Sequence, residues 1–273
     1  MSISTRIKEL NKRLAQKLTA KGVEASETET MTSLINKIDN LPTGQSDIDF
    51  SAFTDWRYFS YYNNRNTLVE KLKYSDTSKG TNFGDMFSGC SRLTTIPQLD
   101  TSTGTNFSYM FFGCSSLTTV PQLDTSKGTN FSHMFGNCSS LTTIPQLDTS
   151  KGTNFGDMFS RCSSLTTVPQ FDTSNGEYFS DMFGNCSRLT NLTITGSINV
   201  SGMDLKAATK LSKASITSVV NALSASASGK SITFSKTAIG SAFETSSGAA
   251  DGSASDEWLN LIATKSNWTI SLS

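Results

Sequence analysis

The residue types that carry most enzyme chemistry are sparse in this chain. A single histidine, His133, occurs among 273 residues. No site needing two histidines is possible, and serine–histidine hydrolysis or a one-histidine metal site would have to be built around that residue alone. Five cysteines (Cys90, Cys114, Cys138, Cys162 and Cys186) recur every 24 residues. Such a ladder admits disulfides between neighbouring rungs, or a metal. Five thiols cannot all pair, however, and no CxxC spacing is present. Cysteine seven residues along an apolar face reads instead as a small core residue. A second ladder, Asp76, Asp100, Asp124, Asp148 and Asp172, keeps the same interval. Stacked carboxylates invite a hard cation such as calcium, but the Asp-Thr-Ser-x-Gly context is accounted for by turn bonding alone. No phosphate loop, paired catalytic acids or nucleophile motif stands out. No cofactor, no metal and no catalytic residue is therefore expected.

The side chains better suited to recognition occupy one variable position. Asp85, Tyr109, His133, Asp157 and Asp181 are equivalent residues of successive units that are otherwise nearly identical. A variable stripe on a regular scaffold suits an interchangeable binding surface, and equally an unconstrained one. Phe112 is more pointed, because its equivalents are Ser88, Gly136, Ser160 and Gly184. A large apolar residue at a surface position is a contact candidate. Recognition is accordingly assigned to Tyr109, Phe112, His133, Asp157 and Asp181. Paired threonines, such as Thr118-Thr119 and Thr142-Thr143, offer a neutral hydroxyl row that suits glycans, protein backbone or plain β surface.

The elements that position these residues come from the repeat. Met-Phe occurs at 86, 110, 134, 158 and 182, and proline at 97, 121, 145 and 169. Within one unit Phe131, Met134, Phe135 and Cys138 fall at helical spacing, which predicts a short helix capped by Asn130. Leu141 to Ile144 reads as a short strand ended by Pro145. Asp148 to Gly152 reads as a turn, with the glycine free to take positive φ. One such unit cannot bury its apolar face, but stacked units can. The expected class is α/β: a solenoid with a short helix and a short parallel strand per repeat, N-terminal helices and a C-terminal α/β cap.

The chain divides into residues 1–44, 45–75, 76–195 and 196–273. In the first segment Ile3, Ile7, Leu10 and Leu14 form the seam of a short coiled coil, assigned to attachment or oligomerisation. A second amphipathic stretch runs through Met31, Leu34, Ile35, Ile38 and Leu41. Phe50, Phe53, Trp56, Tyr58, Phe59, Tyr61 and Tyr62 read as the core of an N-terminal cap. In the last segment the spacing predicts helices around Ile216 to Leu223 and Trp258 to Ile262. Strands are predicted at 231–234 and 268–272, with a surface loop from Thr245 to Ser255.

Charge bounds the partners. Lys+Arg and Asp+Glu are both 23, a balance that argues against nucleic acid. No apolar run long enough for a membrane span or a secretion signal is read, so no membrane insertion is expected.

The motif MFxxCxxLTTxPxxDTS, as in Met110 to Ser126, resembles the BspA-like leucine-rich repeats of bacterial surface and phage proteins. The resemblance implies a leucine-rich-repeat fold, a role in adhesion or surface recognition, and no catalytic residues. Lys230 to Phe234 and Asn267 to Ser271 resemble the closing segment of such arrays. Lys17-Leu18, Gly22 to Glu24 and Leu34 to Ile38 are similar to N-terminal segments of tail-associated proteins in phages of Gram-positive bacteria. Together these imply a non-enzymatic phage virion protein of a fibre, tail or baseplate. It would be assembled in the host cytoplasm, be homo-oligomeric, and be joined to other virion proteins through residues 1–44. Its repeats would face a host surface protein or glycan. The lack of a secretion signal is what ranks this above a bacterial cell-surface adhesin. A glycan-active enzyme on a repeat scaffold ranks last, since it needs paired acids in a cleft.

Overall fold

The computed structural model describes residues 3–20, 22–28, 77–243 and 255–273. The aromatic segment 50–62, the stretch 31–41, Asp76 and the loop expected from Thr245 lie outside the described residues, as do the side chains of Ile3, Ile7 and Leu10. The elements in order are α1 (Ile3–Ala20), β1 (Thr167–Asp172), β2 (Asn191–Thr195), β3 (Asp204–Leu205), α2 (Lys213–Ala222), β4 (Lys230–Phe234), α3 (Lys236–Ala242), α4 (Asp256–Ala263) and β5 (Trp268–Leu272).

The expected short helix of each unit does not form. Residues 131–136 make a run of tight turns, and the hydrogen bonds show why. Phe131, His133, Phe135 and Asn137 donate their N–H groups to the next unit, at Asn154, Gly156, Met158 and Ser160, over 2.8–2.9 Å. The residues between them, Met134, Gly136 and Cys138, donate back to the carbonyl three residues earlier. Alternate N–H groups thus point out of the unit, whereas a helix keeps them all inside. Two positions per unit hold the reversal by adopting positive φ, His133 at 54° and Asn137 at 62°. The helical spacing of Phe131, Met134, Phe135 and Cys138 is genuine as a burial pattern, since all four are fully covered.

The strand expected at Leu141 to Ile144 is reduced to one bridge, Thr143 to Thr167, and where the equivalent strand forms, as β1, it runs through Pro169 to Asp172 and is not ended by the proline. Parallel bridges join Asn82, Asn106, Asn130, Asn154 and Tyr178 in sequence. On the other side of the unit a continuous ladder appears at β1 and β2, paired in parallel. Side chains complete the joints. Thr101, Thr125 and Thr149 are buried, and each donates its hydroxyl to the carbonyl of the aspartate 23 residues on, at 2.8–2.9 Å. Gln98, Gln122 and Gln146 each donate an amide N–H to the glutamine carbonyl of the next unit at 2.6 Å.

Two phenylalanine columns fill the interior. Phe83, Phe107, Phe131, Phe155 and Phe179 stack at centroid separations of 5.5–5.8 Å. Phe87, Phe111, Phe135, Phe159 and Phe183 do so at 5.4–5.7 Å. Each contact adds about 0.5–1.5 kcal/mol beyond area burial. None of the five cysteines is in a disulfide, and all five are buried. Cys114, Cys138, Cys162 and Cys186 each donate S–H to a phenylalanine carbonyl 27 residues back, at 3.0–3.1 Å. Burial pushes these thiols upward, that of Cys186 to about 12.

The expected role of Gly152 is corrected. Its φ is not positive. A Cβ there would stand 2.1 Å from Cζ of Phe155, so the glycine is required by ring packing.

At the amino end, α1 stops in a Schellman motif. Gly22, at φ 77°, donates to Thr19 and Val23 donates to Leu18, the pairing expected of a glycine just past a helix end. Leu14 is only 4% exposed. At the carboxyl end α2, β4, α4 and β5 form where expected, and α3 is additional. The sheet order is β3-β4-β5, all parallel. Ser212, Ser235 and Ser255 cap the three helices through their hydroxyls.

Gly152→Ala should lower stability by about 1–3 kcal/mol, because the stacked Phe155 ring has no room to retreat. Gly240→Ala, whose Cβ meets nothing within 4 Å, should be neutral or mildly stabilising; denaturant midpoints of the pair check this. The buried thiols should resist a thiol-specific dye until unfolding. A raised folded pKa leaves the unfolded chain to lose protons first, so stability is full below the ordinary thiol value of about 8.5 and falls as pH rises toward about 12. Cys138→Ala should make that fall shallower.

Candidate functional site

The variable row occupies one of the two positive-φ positions of each unit. Asp85, Tyr109, His133, Asp157 and Asp181 have φ between 50° and 58°. Asp and His are among the residues that tolerate this region, whereas a bulky tyrosine is a poor fit. Because consecutive units are bonded in parallel, these side chains line up one unit apart.

Four of the five predicted recognition residues are brought together. The rings of Tyr109 and His133 stack at 4.3 Å with planes 16° apart. Phe112 meets both edge-on, at 5.4 Å from Tyr109 and 5.9 Å from His133. His133 Nε2 lies 3.7 Å from Asp157 Oδ2. Asp181, one unit further, is exposed and stands outside the ring cluster. Asp85 completes the row on the Tyr109 side. Burial first, then the charges of Asp85 and Asp157, raise the Tyr109 phenol above its ordinary value. Tyr109, Phe112, His133 and Asp157 are all half-buried, so the patch is supported from beneath and open above.

The patch depends on coordinated departures from the repeat plan. Phe112 replaces serine or glycine and covers Gly136 of the following unit. A Cβ on Gly136 would lie 3.0 Å from the Phe112 ring. Tyr109 stands where three of the five units carry aspartate. Together they build one aromatic cluster.

A groove of about 700 Å³ opens elsewhere on the repeat, lined by Gln122, Asp124, Ser126, Gln146, Asp148 and Gln170 among others. Its polar groups are occupied by structure. Asp124 Oδ1 accepts from the Ser126 N–H and hydroxyl at 3.0 and 2.7 Å, and Asp148 does the same with Ser150. These bonds hold both carboxyls below the ordinary range. The turn reading of the aspartate ladder accounts for its geometry. Among the described residues no group of three His, Cys, Asp or Glu side chains is placed to hold a metal ion. The buried threonines and bridging glutamines were not singled out in the sequence. Their signal was present, since a threonine follows the aspartate in every unit, yet turn chemistry already explained the motif.

Among the described residues, the exposed large apolar side chains are none of these four. Tyr178 is 61% exposed and ends the asparagine column; Leu259 and Leu272 belong to the carboxyl-terminal elements. No helix among the described residues is long and apolar enough to cross a membrane.

The geometry defines a mixed α/β repeat protein whose units are joined by parallel backbone bonds and which displays a composite aromatic and acidic patch. The family model described as Mycoplasma protein of unknown function, DUF285, matches residues 29–143 and again 118–218. These matches together span well over half of the chain, and the chain belongs to that family. The regular 24-residue spacing of Cys and Phe fits a BspA-like repeat. Neither the curated proteins nor the solved structures returned a match.

His133 is the single histidine, so its imidazole protons give isolated NMR signals. Stacking on Tyr109 should place them upfield, and Tyr109→Asn should move them back toward the free-imidazole position. An unchanged shift would refute the stack.

Proposed function

We propose that this chain is a non-enzymatic recognition protein: a leucine-rich-repeat solenoid carried on a phage virion, in a fibre, tail or baseplate. In this reading residues 1–44 join it to other virion proteins and to further copies of itself, and the repeats face a host surface protein or glycan. The observation that carries the recognition role is the Tyr109–Phe112–His133 cluster with Asp157 beside it. Tyr109 stands where three of the five units carry aspartate and Phe112 where all the others carry serine or glycine, and Tyr109 sits on a backbone conformation that disfavours it. Scaffold stability gives no reason for that arrangement, whereas contact with a partner does.

The virion setting is supported by the likeness of residues 1–44 to phage tail-associated segments. The resemblance of the repeats to those of BspA-like surface proteins supports a second reading, a bacterial cell-surface adhesin, which uses the same patch in a different location. Antibody raised against residues 256–273 separates the two. Decoration of purified phage particles is expected, and labelling of intact bacteria without particles would favour the adhesin. In either setting the Tyr109→Asn, Phe112→Ser double variant should bind host cells at least tenfold more weakly while keeping its thermal midpoint within a few degrees. Undiminished cell binding by that variant would remove the patch from the recognition role.

A further inference from the structure

Among the described residues, the strand edges of the carboxyl-terminal elements are protected unequally. On β2 the N–H groups of Leu192 and Ile194 donate to the hydroxyls of Ser215 and Ser218 on α2, each at 2.9 Å. Those hydroxyls donate in turn to the carbonyls of Thr190 and Ile194, so a helix covers that edge. The edge strand β3 has only two residues, and Asp204 on it is paired with Lys206 at 2.8 Å. Shortness and charge are common ways of blunting an edge. The opposite edge of the β3-β4-β5 sheet has neither. Strand β5 runs for five residues, Trp268–Leu272, without a charge or a proline.

The ladder shows which groups of β5 are open. Ser273 donates its N–H to Phe234 and accepts from the N–H of Lys236, so Ser273 faces β4. Bonding residues alternate along a parallel strand, and Ile270 and Leu272 therefore turn their N–H and C=O groups away from β4. Neither residue bonds to anything outside the ladder among the described residues. The apolar face opens at the same place. Ile232 and Phe234 on β4 are buried, whereas their ladder neighbours are not: Ile270 is half-buried and Leu272 is 37% exposed.

We propose that β5 is a contact between two copies of this chain, paired antiparallel across a two-fold axis through Ile270. The strand suits a copy of itself. Trp268, Thr269, Ile270, Ser271 and Leu272 give the same apolar and polar order read from either end. Antiparallel pairing sets Ile270 opposite its own equivalent, Trp268 opposite that of Leu272, and Thr269 opposite that of Ser271. The outward N–H and C=O of Ile270 then exchange both bonds with their equivalents. Apolar side chains meet on one face and hydroxyls on the other. A charged foreign strand finds no charge on this edge to select it. One two-fold contact uses both open edges, and the joined sheet ends in a blunted β3 on each side. The assembly therefore closes as a dimer and does not grow. This contact is separate from residues 1–44 and from the Tyr109 patch, and it stands or falls without either.

The test uses the full chain. Sedimentation from low micromolar to about millimolar protein is expected to show the mass doubling. Thr269→Lys combined with Ser271→Lys sets like charges directly opposite each other across the contact. Both positions are exposed, so the fold should survive, with the thermal midpoint within a few degrees of the parent. This variant should dimerise at least tenfold more weakly, with part of the loss recovered as salt is raised. Tyr178→Ser, at an exposed ring of the repeat array, should dimerise as the parent does. Amide exchange gives a second reading that needs no substitution. The N–H groups of Ile270 and Leu272 should exchange at least tenfold more slowly in concentrated than in dilute protein, while those of Thr269 and Ser271, bonded to β4, stay slow in both. A monomer at every concentration, or edge amides whose exchange ignores concentration, would overturn the proposal. Doubling that the lysine variant retains would also overturn it, and would assign self-association to another part of the chain.

Discussion

The structure depends on where alternate backbone N–H groups go. In the turn runs of the first four units, every second one leaves for the next unit, and the ones between close local turns. That division sets the rest. It needs two left-handed residues per unit, which fixes where non-glycine side chains on unusual backbone appear. It brings equivalent residues of successive units into columns, which explains why rings, thiols, glutamines and threonines each form ladders. A buried N–H left unpaired would cost about 1–3 kcal/mol. The interior of each unit is therefore committed to having a neighbour, and a lone unit is not a stable object.

The columns divide the work between packing and polar bonding. Phenylalanine, methionine and leucine fill the interior. Buried threonine and cysteine act beside them as donors to carbonyls of neighbouring units, so polar atoms inside the stack have partners. The thiols are an instructive case. Their regular spacing suggests redox or metal chemistry, but their surroundings hold them protonated and hydrogen-bonded, which suits a core residue and disfavours a nucleophile.

Much of this was legible in the sequence because a repeat multiplies each signal. The period, the buried face, the cysteine environment and the order of carboxyl-terminal elements after Thr190 follow from spacing and residue type. The turn run did not, because apolar residues at i, i+3, i+4 and i+7 mark a buried face whether the backbone is helical or folded into successive turns. Hydrophobic period reports burial, and only the fate of the N–H groups separates the two. The role of Gly152 was missed for a related reason: a glycine before Thr-Asn-Phe satisfies turn chemistry and ring packing equally well on paper. The variable row was found as a list of residues, but its stacking partners were not. Contact between Tyr109 and His133 requires that residues 24 apart lie side by side, which is a property of the assembled array.

The left-handed backbone under the variable row limits how that surface can change. Asn, Asp, His and Gly enter such positions cheaply, while β-branched residues are excluded by their own sterics. The row is thus a display with a short alphabet, rich in small polar and acidic members and closed to valine, isoleucine and threonine. The position of Phe112, three residues on, carries no such restriction and has taken serine, glycine and phenylalanine. Diversification of this surface, whether by natural drift or in a designed library, would run freely through the second column and only in small steps through the first. Tyr109 marks a step that local backbone energetics alone would not have taken.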